Sequence, residues 1–175
     1  TRIAVETSLG SDAAPSGMSG PTKREGDGRS PAGVFSLGSV YGYDAAPPRG
    51  TRAPYVQVTS TWRCVDDGAS SRYNEVFDSA GVTQDWSSAE VMLRDDNLHT
   101  RVVFVNHNTR PARPGDGSCI FLHVWSGPAS TTVGCTAMAL EDLEAVVASL
   151  VPDATALVQL PDAAYAALSG PWRLP

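Results

Sequence analysis

Short alternations of apolar and polar residues, bounded by Gly and Pro, recur along most of this chain and predict strands. Arg2–Ser8 sets Ile3, Val5 and Thr7 against polar neighbours, as an edge strand would. Ala32–Val40, Pro54–Thr61 and Arg101–Val105 continue the series, and Ala154–Leu160 closes it. Cys119–Trp125 differs in being almost wholly apolar, β-branched and aromatic, which predicts a buried strand. Alternation puts Ile120, Leu122 and Val124 on one of its faces, and Phe121, His123 and Trp125 on the other. Helical spacing governs Leu140, Leu143, Val146, Val147 and Leu150. Glu141 and Asp142 fall in the first turn and Pro152 lies beyond the end, so Leu140–Val151 is predicted as an amphipathic helix. Asp85–Met92 reads as a short helix capped by Ser87 or Ser88, and Pro161–Leu168 as another. Cys64–Gly68 reads as a turn and Gly10–Arg29 as a loop. The sum is a mainly β chain with one or two helices.

Length and charge narrow the classes. A chain of 175 residues suits one domain, 1–175, and nothing in it repeats or serves as an interdomain linker. At 42% hydrophobic, with 16 Gly and 13 Pro, it is globular and rich in turns. The net charge of −6 and the lack of a basic run argue against a nucleic-acid partner. No apolar stretch reaches the ~18–20 residues of a membrane span. The chain begins at Thr1 without a secretory leader, which reads as a mature or trimmed chain whose targeting must be inferred indirectly.

The chemistry concentrates after the buried strand. Gly127-Pro128 marks a turn, and the chain returns through Thr132-Val133-Gly134-Cys135. His123 and Cys135 thus sit on neighbouring segments, as a base and a thiol nucleophile must. The plainer alternative is a cysteine acting as a small buried hydrophobe and a histidine with a satisfied ring. Gly134 would let backbone amides approach a ligand closely. Trp125 shares the face of His123, and His107 follows the Arg101–Val105 strand. Both are candidate substrate contacts, although His107 reads equally as structural. Lys23 and Arg24, in a cluster with Glu25, Asp27 and Arg29, either meet an anionic substrate group or pair internally. Cys135, His123 and His107 match no standard zinc spacing, so neither metal nor cofactor is called for. Three cysteines allow one disulfide and one thiol, in three ways.

The segment HVWSGPASTTVGCTAM, His123–Met138, resembles the signature of L,D-transpeptidase (YkuD-type) catalytic domains, in the branch with a short His-to-Cys interval. A second block, Gly20–Phe35, is similar to that branch's Lys-x-Glu-Gly-Asp-x-x-Thr/Ser-Pro-x-Gly. Tyr73-Asn74 and the Trp86–Met92 stretch add further likeness. The resemblance implies a YkuD-like β-sandwich and acyl transfer on peptidoglycan stem peptides in an exported location, periplasm or cell wall. Cys135 would be the nucleophile and His123 the base. The amides of Gly134 and Cys135 would bind the oxyanion, with Thr132 as an orienter. It further implies a disulfide between Cys64 and Cys119, in agreement with the strand rise, which sets Cys119 ~13 Å from His123 along one strand. Two buried free thiols remain the alternative. Covalent acylation by β-lactams of the carbapenem type belongs to the same implication.

The sequence also departs from the family. Where the commonest pattern has a histidine before Gly-Cys, and an Arg or Asn two residues after the cysteine, this chain has Val133 and Ala137. Two other activities therefore stand beside transpeptidation: an L,D-endopeptidase that cuts peptidoglycan linkages, and an inactive wall-binding module on the same fold.

Overall fold

The computed structural model describes residues 7–9 and 20–174. Strand β1 is Thr7–Leu9, so the expected Arg2–Ser8 strand falls largely outside the described residues. Strand β2, Ser30–Gly42, runs for 13 residues, longer at both ends than the Ala32–Val40 expected. Its length lets it join neighbours in series. Ser30–Ala32 pairs with β1, and Gly33–Ser36 with β10, Ala156–Gln159. Beyond a register shift between Leu37 and Val40, its far end pairs with β3, Tyr55–Gln57, and β7, Arg101–Val105. Strand β8, Phe121–Val124, lies antiparallel to β7, and β9, Thr136–Met138, lies parallel to β8. A smaller sheet has the order β5-β4-β6, made of Val76–Asp78, Trp62–Val65 and Ala89–Val91. The fold is mainly β, the β-sandwich that the sequence leads one to expect.

Strands β7 and β8 are buried on both faces, which explains why their sequence is apolar almost without a break. On one face Val103, Val105, Ile120 and Leu122 join Phe35, Val40 and Met138 under helix α1, Leu140–Ser149. No side-chain bond caps the start of α1. Its Leu143 and Val147 are fully buried, and burial at roughly 1.5–3 kcal/mol per side chain is what holds it. On the other face Val102, Phe121 and Cys119 meet Cys64, Met92 and Val58 of the smaller sheet and its approaches. Cys64 and Cys119 are joined by a disulfide across this second core.

Four local expectations need correction. Asp85–Met92 forms no helix. Ser87 and Ser88 donate their hydroxyls to Asp67 and Asp66 instead of capping, and Ala89–Val91 extends beside β4. Cys64 and Val65 lie in β4 rather than in a turn, because strands flank them on both sides. The Pro54–Thr61 strand shrinks to Tyr55–Gln57, after which the Val58 amide turns to the Gly42 carbonyl. Helix α2, Asp162–Trp172, runs past the expected Leu168, with Pro171 at its last turn.

Candidate active site

The parallel register of β8 and β9 places Leu122 beside Thr136 and His123 beside Ala137. One step back along both strands, Cys135 comes level with Phe121. Side chains two apart share a face, so the Cys135 thiol and the His123 imidazole project diagonally from the same side of the sheet. Both line one cleft of about 540 Å³.

The turn before Cys135 is held from two sides. The Cys135 carbonyl accepts the Thr132 hydroxyl at 2.6 Å and the Ser30 hydroxyl at 2.8 Å, which ties the turn to the start of β2. Thr132 Oγ1 also receives the Gly134 amide, at a long 3.3 Å. Gly134 has φ +155°, and a Cβ there would stand 3.3 Å from both the Arg29 carbonyl and Ile120 Cδ1. Only glycine suits that crossing.

The surroundings of Cys135 favour the neutral thiol. Cys135 Sγ accepts the Phe121 amide at 3.3 Å and donates to the Cys119 carbonyl at 3.4 Å. Burial drives its pKa well up and the Glu90 charge adds to the rise. The Phe121 amide, Lys23 and Arg94 oppose it. Cys119 can offer its carbonyl this way because its backbone is left-handed, at φ +53°. The disulfide and a 2.9 Å bond from its amide to Asn74 Oδ1 secure that conformation. The same kink starts β8 at Phe121, two residues later than expected.

His123 is also neutral. Burial pushes its pKa down, Arg94 helps, and the contact with the Val124 carbonyl resists. Its Nδ1 lies 2.7 Å from that carbonyl, so the ring proton sits on Nδ1 and Nε2 is left unprotonated. Among the described residues no hydrogen bond joins His123 to Cys135. The thiol donates to the Cys119 carbonyl instead.

Sequence reasoning missed three residues of this cleft. His99 stacks edge-on against His123, ring centres 5.6 Å apart, and against Phe121 at 5.7 Å. Burial, with the neighbouring His123, holds its pKa down to about 4. The bond from the Val124 amide to the Leu98 carbonyl fixes it there, a contact that no local pattern announces. Glu90 and Arg94 also line the cleft. Both sit in or next to the stretch read as a helix, where a correct strand assignment for Ala89–Val91 would have exposed them.

The other expected site residues divide. Lys23 lines the cleft but is 2% exposed, its ammonium 2.6 Å from both Asp27 Oδ1 and the Arg24 carbonyl. It acts through its charge rather than as an open anion site. Arg24 is exposed and outside the cleft lining, because its main chain turns away around Asp27. Trp125 is half-buried and also outside, beyond the end of β8 where its amide bonds the Met138 carbonyl. His107 is 1% exposed behind the cleft, its Nε2 2.8 Å from the Asp116 carbonyl and its ring edge-on to Phe35.

Compared with known families, residues 4–158 match the L,D-transpeptidase catalytic domain, YkuD. The chain belongs to that family. No curated protein and no solved structure matches it. The YkuD family acts on peptidoglycan, and in this member the turn before Cys135 carries an exposed Val133, 75% open to solvent, at the rim of the cleft. Among the described residues no helix is long and apolar enough to cross a membrane.

Proposed function

We propose that this YkuD domain is a peptidoglycan L,D-transpeptidase with Cys135 as its nucleophile. The observation that supports this best is the shared face of β8 and β9, where a neutral thiol and a neutral imidazole with its Nε2 unprotonated line one cleft. His123 Nε2 takes the thiol proton as sulfur bonds to the carbonyl joining the L-centre of a diamino acid to a terminal D-amino acid. The amides of Cys135 and Gly134 receive the oxyanion, the latter released from its long bond to Thr132. His123 then protonates the leaving amine and the C–N bond breaks, leaving a thioester. An amine of a second stem attacks that thioester. Its N–H proton passes to His123 and on to the departing sulfur. The same thiol is open to the strained carbonyl of a carbapenem-type β-lactam, which would leave a covalent adduct. The disulfide supports an oxidising setting, periplasm or cell wall.

Purified stem tetrapeptide, with and without an acceptor amine, tests the reading. The expected products are free D-amino acid and a new amide to the acceptor. Release with no amide formed to any acceptor would make the protein a hydrolase. No release from any stem would leave the binding module.

A further inference from the structure

We propose that Glu90 is the proton acceptor for the incoming amine, and that it thereby decides whether the thioester passes to an amine or to water. This rests on the transfer reaction above and names the group that readies its second substrate. An acceptor amine reaches the cleft at neutral pH as an ammonium, since alkyl amines titrate near pH ~10. It has one proton to lose before its lone pair is free and a second to lose as the amide forms. His123 returns its proton to the first leaving amine, so it enters the second step with room for one. Water needs no such preparation. At neutral pH a second base therefore favours amine transfer and has no such task in hydrolysis.

Glu90 is placed for that task. From β6 it is the Cα partner of Cys64 in β4, and the disulfide joins Cys64 to Cys119, whose carbonyl accepts the Cys135 thiol. It lines the cleft with Cys135 and His123, and its charge is felt at the sulfur. The neighbouring groups are already engaged. Lys23 pairs with Asp27 and Arg94 with Asp96, Asp66 accepts Ser88, and Glu25 accepts Tyr73 and Ser118. Among the described residues the Glu90 carboxyl accepts no hydrogen bond, so an arriving ammonium would be its first partner. Burial raises its pKa to about 7, Asp66 and Glu25 adding to the effect and Arg94 opposing it. A group that titrates there is divided between base and acid at neutral pH, as proton transfer favours. His99, held down to about 4, is too weak a base for the same role. The step balances: the ammonium proton moves to the carboxylate, the amine attacks, and the protonated Glu90 releases its proton to solvent after the product leaves.

The test is Glu90→Gln in the whole chain, with folding checked by circular dichroism. The readout is the ratio of amide to hydrolysis product from one stem peptide and one acceptor amine, which does not depend on how fast the thioester forms. At about pH 7 the ratio is expected to fall by ~10²-fold, the lower end of general-base effects. It should recover as the pH approaches ~10, where the amine arrives free. Glu90→Asp should restore part of the ratio at neutral pH. An unchanged ratio at neutral pH, or a fall that higher pH does not recover, overturns the proposal while the unsubstituted protein still forms amides. If that protein forms none with any acceptor, the transferase reading itself fails and this proposal with it.

Discussion

Replacing His123 by alanine is expected to lower kcat/KM by the ~10²–10⁴ typical of losing a general acid–base. The burial that makes His123 8% exposed also keeps it neutral, and its Nδ1 is committed to Val124, so Nε2 is the one nitrogen able to take the thiol proton. Cys135 compensates for nothing here, because its own environment holds it as a thiol. The pH profile carries the same signature. A base with a pKa below its ordinary value stays active on the acid side of neutrality, and the rate falls only when the pH drops through that lowered pKa. Removing the ring also takes away the edge-on contact with His99, so folding is checked alongside the kinetics. A well-folded variant with near-normal turnover would transfer the role elsewhere. His99 is then the first group to examine, because His107 is buried outside the cleft lining.

Opening the Cys64–Cys119 disulfide, by reduction or by Cys64→Ala with Cys119→Ala, is expected to cost about 4 kcal/mol of stability. That figure follows from chain entropy for a bridge spanning 55 residues. Denaturant unfolding of the two forms measures it. The bridge also holds the left-handed Cys119 whose carbonyl receives the thiol, so activity should fall before the protein unfolds. Alkylation without reductant should modify Cys135 alone. Three modified cysteines in the native protein would remove the bridge and this part of the account.

Much of the fold was legible where local pattern and tertiary position agree. Leu143 and Val147 mark the buried face of α1, and the expected buried strand is there as Phe121–Val124, closed in on both faces. The nearness of His123 and Cys135 was legible too, because the two lie in consecutive elements. The misreadings share a physical cause. Ser87 and Ser88 have the chemistry of caps, but two aspartates from a distant turn claim their hydroxyls. Glu90 and His99 reach the cleft only through partners remote in the chain, Cys64 for one and the end of β8 for the other. Arg24 and Trp125 lie close in sequence to residues of the cleft yet stay outside its lining, and His107 is buried apart from it. Proximity along the chain is a weak guide wherever strand alternation or a turn intervenes.

The central claim is that Cys135 becomes acylated by a peptidoglycan stem. Intact-mass spectrometry after rapid acid quenching of protein mixed with stem tetrapeptide tests it most directly. The account predicts an adduct of the tripeptide acyl mass that is absent from Cys135→Ser. No adduct and no released D-amino acid with any stem, from a protein whose thiol still reacts with a small alkylator, would contradict it.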